Sequence, residues 1–323
     1  MNIHHPITQK LIMATLLISL FGCFQKKEKK INLEAWLEAN FPGQMEVVNN
    51  IVNLDLKNLY IKKTSTIVAD KADPEVQIVV TWFKEQQPDL GVSVDEVKTS
   101  LAKSKDEVVA ARNLFSKLKQ NGLDKISVGV IEMAAYILIF DEPSPALRKP
   151  YLEKILATLD ALPDHEQTSI WIEWMEPAAY QEHFKDIIPY GYWQRGDSYQ
   201  ESNKIMSLDF EWSPGLKPDI LMTGWAINSS SNRSTTYMED AYKAASAWAG
   251  KNIPSPFYFE PAQMVQLGPV EDDPMAIEFS FPYFDSKPDT EQSGFEESAL
   301  GYVTGVYQTD QKTFTKIKKT DEL

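Results

Sequence analysis

A single cysteine, Cys23, in 323 residues excludes any intrachain disulfide, so the fold of this chain must stand on its own buried core. The material for such a core is present. Hydrophobic residues make up 43% of the chain, with 8 Trp, 13 Tyr and 15 Phe, enough for two domains or one large one. No low-complexity tract is long enough to read as a disordered region. Charge narrows the partners. Residues 1–30 hold five of the 32 basic and one of the 46 acidic groups, which leaves the body from residue 31 at −18. A body this acidic lacks the clustered Lys and Arg that phosphate binding requires, so nucleic acid is not an expected partner. A broad electrostatic membrane footprint is not expected either.

The N-terminus is organised differently. His4, His5 and Lys10 precede an apolar run, Leu11 to Phe21, broken only by Thr15 and Ser19. As a helix the run would span roughly 16 Å, too short for a ~30 Å hydrocarbon core. It fits the hydrophobic region of a signal peptide. The run ends in Leu20-Phe21-Gly22-Cys23, with a small residue immediately before the cysteine. This resembles the lipobox of bacterial lipoproteins. The resemblance covers residues 1–23 and implies that 1–22 are removed as a signal peptide. It also implies a thioether-linked diacylglyceryl group on Cys23, and two or three acyl chains suffice for stable anchoring.

Residues 23–32 then form a lipidated tether in which Lys26, Lys27, Lys29 and Lys30 surround Glu28. Near anionic headgroups each Lys contributes ~1 kcal/mol; the alternative is a solvated linker. The expected address is the bacterial cell envelope, at the outer membrane in preference to the inner, with the membrane itself as partner through the lipid. A competing signal is the C-terminal Lys319-Thr320-Asp321-Glu322-Leu323, close to an ER-retention tetrapeptide.

Past the tether, helix and strand signals alternate. A helix is expected near Leu33 to Asn40. Ser93…Glu96, Ser104…Glu107 and Thr236…Glu239 have the capping-box form. They predict a helical region over 94–120, stopped by Asn121-Gly122, and a helix over 237–249. Ser144-Pro145 opens a further helix ending before Pro163. Residues rich in β-branched and aromatic side chains predict strands at 76–82, 126–140, 169–174, 205–212 and 277–281, with a hairpin over 301–307 and 313–318. The implied fold class is α+β: mainly antiparallel sheets with helices packed on one face. The natural seam is Pro143-Ser144-Pro145, giving similar-sized halves over 33–143 and 144–323 whose element order hints at an internal duplication.

The chemistry-bearing motifs are few. The sequence contains no Gly-x-Ser-x-Gly elbow, phosphate-cradling loop, dinucleotide fingerprint or His-Glu-x-x-His. Past the signal region only His165 and His183 remain, and no cofactor or metal site is expected. Glu173 and Glu176 flank Trp174, and Asp209 and Glu211 share one face of a predicted strand. Paired carboxylates beside aromatics are what a glycosidase needs; solvent-facing strand residues of an acidic protein look the same. The run Tyr190, Tyr192, Trp193, with Arg195 and Asp197 following, has the composition of a loop that stacks a sugar or peptide, or of aromatics filling the seam between the halves. Glu271-Asp272-Asp273 lacks the spacing of a calcium loop and reads as a turn. Two functions stay open: a non-enzymatic envelope lipoprotein binding an envelope protein or glycan, and an envelope hydrolase acting on glycans through these carboxylates.

Overall fold

In a computed structural model the chain is described over residues 32–51, 63–83, 90–162, 168–179, 186–193, 202–254, 257–259, 265–270, 273–287 and 299–321. Cys23 and residues 24–31 of its tether, His165, His183, Arg195, Asp197, Glu271 and Asp272 lie outside these residues, and of Tyr192 only the backbone is described. The protein is α+β, with three mostly antiparallel sheets.

The first sheet is an antiparallel meander of β1 (Met45–Ile51), β2 (Lys63–Asp70) and β3 (Asp73–Phe83). Helix α1 (Leu33–Asn40) precedes it, capped by the Asn32 side chain, which accepts from the Ala35 N–H at 2.9 Å. Leu33, Trp36 and Leu37 of α1 are buried with Val68, Ile78 and Val80 in a small core of their own. Helix α2 (Val94–Gln120) is one continuous element of about 40 Å. Ser93 caps it as expected, its Oγ accepting from the Glu96 N–H at 3.3 Å. The second expected box is not a cap. Ser104 lies inside α2, is buried, and donates to the Gln77 carbonyl of β3 at 2.9 Å. Val97 joins the first core, while Ala111, Leu114 and Leu118 join the main one, so this helix ties the two together.

The central sheet has the order β4-β5-β6-β7-β8: Ile126–Ile131, Ala134–Ile139, Ser169–Met175, Lys204–Glu211 and Ala226–Ile227. The stretch 126–140 is therefore a hairpin and not one long strand; it turns at Glu132, whose φ is +53°. β5 and β6 run parallel, joined through α3 (Pro145–Asp160), so the sheet takes strands from both sides of Pro143. The remaining pairs are antiparallel. One face, with Val128, Ile137, Ile172, Trp174 and Leu208, forms the main core under α2 and α3. The other face carries Gly129, Tyr136, Trp171, Glu173 and Asp209. Its β4 side is overlaid by residues 186–193: the Val128 N–H donates to the Asp186 carbonyl, and the Val128 carbonyl accepts from the Ile188 N–H, both at 2.9 Å. Helix α4 (Tyr190–Trp193) lies in this overlay.

After α5 (Pro218–Leu221), helix α6 (Ser234–Asn252) lies across the last sheet, β10-β11-β12-β13 with β9 beside β11. Those strands are Tyr258–Phe259 (β9), Val265–Val270, Asp273–Phe284, Gly301–Gln308 and Thr313–Thr320. α6 begins at Ser234, so Thr236 of the expected capping box sits in the first turn and not at the cap. Ala241, Ala245 and Ala249 are fully buried at four-residue spacing, letting the helix approach the sheet closely. β13 is an edge strand bearing Lys316, Lys318 and Lys319, with Lys316 at φ +54° beside a register shift.

Candidate functional site

The parallel β5–β6 connection brings the loop after β5, the start of α6 and the β12–β13 turn to one place. They enclose a cleft of about 510 Å³. Its floor is apolar: Ile205 and Met206 of β7 and Ile227 of β8. Tyr237 of α6 and Tyr307 of β12 line it with ring centroids 5.3 Å apart. The charged groups are Glu142, Arg233, Asp240, Asp310 and Lys312.

Arg233 organises the cleft. Its Nη1 and Nη2 donate to both oxygens of Glu142 at 2.7 and 2.8 Å, and Nε and Nη2 donate to both oxygens of Glu176 at 2.8 and 3.1 Å. The planar guanidinium fork suits two carboxylates at once, which an ammonium does not. Burial works against the guanidinium's charge, but the bonds to Glu142 and Glu176 raise its pKa above the ordinary value. The same bond from Arg233 holds the Glu142 carboxyl below its ordinary range, with Lys312 adding to the pull. Burial pushes the Tyr237 hydroxyl up. Burial, then Asp240, pushes Tyr307 up to about 12; its hydroxyl donates to Asp240 Oδ2 at 3.3 Å. Behind the turn, buried Arg148 of α3 pairs closely with Asp310. Its Nε and Nη1 have no hydrogen-bond partner among the described residues, so this pair is less completely satisfied than that of Arg233. The Thr309 hydroxyl donates to the Met275 carbonyl at 2.6 Å and pins the turn.

The expected site residues divide between two places. Glu176 does not line the cleft but is joined to it through Arg233. Glu173 points to the other face of the central sheet, is buried, and lies 3.6 Å from Lys204 in an ion pair. Asp209 and Glu211 are exposed on that same face, directly opposite Trp171 and Ser169 in the ladder. The four carboxylates are thus not gathered in one cleft.

Within the aromatic run, Gly191 and Trp193 pack against the sheets. Trp193 lies 4.7 Å from Tyr136 between ring centroids and covers Gly129. Gly191 rests against Gln77 and Ile67 of the first sheet, so the run sits between the first and central sheets. A Cβ at Gly191 would stand 2.6 Å from both Gln77 Oε1 and Ile67 Cγ2. Gly191→Ala is therefore expected to destabilise by about 1–3 kcal/mol, read as a lower midpoint in urea.

Among the described residues there is no group of three His, Cys, Asp or Glu side chains able to hold a metal, and no helix long and apolar enough to cross a membrane. Sequence reasoning missed Arg233 and Glu142. Neither carries a local motif, and they are 91 residues apart. No protein family, curated protein or solved structure matches the chain.

Proposed function

We propose that this protein is a lipid-tethered component of the bacterial cell envelope whose body binds a partner without performing chemistry on it. The N-terminal hydrophobic run, Gly22 and the sole cysteine support the tether. One observation carries the binding role: four hydrogen bonds lock the Arg233 guanidinium between Glu142 and Glu176 at the edge of the apolar floor. What the cross-linked charges supply is a rigid, mixed-charge recognition surface beside an apolar floor, the usual make-up of a binding cleft.

Two measurements test the two parts. With Cys23→Ala, fatty-acid labelling of the protein is expected to vanish and the body to leave the membrane fraction; persistence of both label and membrane association sinks the tether. For binding, the full chain crosslinked in solubilised membranes is expected to recover one stoichiometric partner, which Lys312→Glu at the cleft loses. A Lys312→Glu protein that retains the same partner moves the interface away from the cleft, and no stoichiometric partner at all ends the binding reading.

A further inference from the structure

On the face of the central sheet away from the main core, one aromatic stands out. Trp171 of β6 is 38% exposed, although the other tryptophan of that strand, Trp174, is fully buried on the opposite face. A single exposed apolar side chain is ordinary on a protein surface; what marks this one is its setting. Trp171 is also held in place. Its Nε1 donates to Ser169 Oγ at 3.1 Å, and the Tyr136 ring stacks beside it at 5.9 Å and 22°, itself backed by Trp193. Side chains on a sheet stand across from their ladder partners. Tyr136 on β5 therefore braces one side of Trp171, while on the β7 side its ladder neighbour is Asp209.

Asp209 and Glu211 are both exposed and form no ion pair or side-chain hydrogen bond among the described residues. Their position two residues apart puts both on the face of Trp171 and Ser169. Among the described residues the cation nearby on this face is Lys204, which is already paired with Glu173. The shelf thus combines a fixed indole with two carboxylates that have no cation partner among the described residues.

We propose that this shelf is a seat for an arginine side chain of a partner protein. The assignment rests on the binding role given above but not on the lipid anchor. Charge complementarity calls for a cation, since both unpaired groups are carboxylates. The indole selects the kind of cation: a guanidinium is planar and weakly hydrated, so it stacks on an aromatic face while its edge donates two parallel hydrogen bonds to a carboxylate. A lysine ammonium satisfies the charge but not the stacking. A sugar ring would satisfy the stacking but leave the charge uncompensated.

The test is calorimetric titration of the detergent-solubilised full chain with acetyl-tetra-arginine amide, in parallel with acetyl-tetra-lysine amide and the neutral sugar cellotetraose. The arginine peptide is expected to bind more tightly than the other two, and more weakly as salt is raised. Trp171→Ala should weaken it about fivefold or more with the charge unchanged, Trp171→Phe should retain most of the affinity, and Asp209→Asn with Glu211→Gln should weaken it by about fivefold. Trp171 is exposed, so these variants do not open the core. Equal binding of tetra-arginine by Trp171→Ala overturns the proposal, because it shows only general attraction to an acidic body. Tighter binding of cellotetraose, equal binding of tetra-lysine, or no binding of tetra-arginine each overturns it as well. Cys23→Ala should leave every one of these affinities unchanged, so failure of the tether and failure of the shelf are separable.

Discussion

Trp174→Ala is expected to lower the stability of the protein by about 3–5 kcal/mol, the range for removing a large aromatic from a packed core. Trp174 has no exposed surface. Its ring lies 5.4 Å from Tyr151 at an interplanar angle of 4°, and 5.8 Å from Trp225. Truncation therefore opens a void between β6, α3 and the segment before β8, and removes the partner of the Asp141 carbonyl, which accepts from the indole N–H at 2.5 Å. A fall in the thermal midpoint on the order of 10 °C is the corresponding readout. Trp171→Ala on the same strand should shift that midpoint far less, because Trp171 stands on the opposite, partly exposed face. Equal shifts for the two tryptophans would mean that the assignment of strand faces is wrong.

The second large effect is expected at Arg233. Arg233→Met removes the fork and leaves Glu176, 19% exposed, and Glu142, 65% exposed, without their cation. A fully buried pair broken this way loses about 3–5 kcal/mol; with one carboxylate well solvated, about 2 kcal/mol is expected here. The pH dependence is a sharper readout. Arg233 holds the folded-state Glu142 below its unfolded value, so the contribution is fully present above the ordinary glutamate range near pH 4.5. It is lost as pH falls through the lower folded value, because the unfolded state then binds the proton first. Wild type should therefore lose stability on acidification below about pH 4.5 more steeply than Arg233→Met. Parallel curves in urea unfolding at pH 3 to 7 would show that the cross-link contributes nothing to stability.

Local chemistry was legible where a single side chain decides the outcome. Ser93 starts α2, Asn121-Gly122 stops it, and β7 shows its alternation because Asp209 and Glu211 face water while Met206 and Leu208 do not. The hairpin at 126–139 was hidden for the opposite reason. β4 is buried on both faces from Ile126 to Val130, so its burial does not alternate, and its turn uses Glu132 at positive φ where a glycine would have announced it. Ser104 shows how a motif misleads: a serine three residues before a glutamate is a cap only if the helix begins there, and here it is a mid-helix hydrogen bond to β3. The cleft was not legible at all. Arg233, Glu142 and Glu176 are 57 and 91 residues apart, and they meet only because a parallel crossover returns the chain beside β5. The Trp171 shelf lies between these extremes. Trp171 and Trp174 are three positions apart, which in a strand of period two puts them on opposite sides, but only the buried neighbours of Trp174 reveal which side is wet.

The lysine-rich border of the last sheet bears on how this protein behaves in crowded solution. A strand with one unpaired side offers a row of donors and acceptors to any other extended chain, and long flat borders of this kind seed fibrils. β13 presents such a border, but with three lysines and a left-handed residue at Lys316 that breaks its regular pleat. Repulsion between like charges and a kinked template both oppose stacking of one molecule on the next. An acidic body with a cationic rim can stay dispersed while its other surfaces remain free to find a partner.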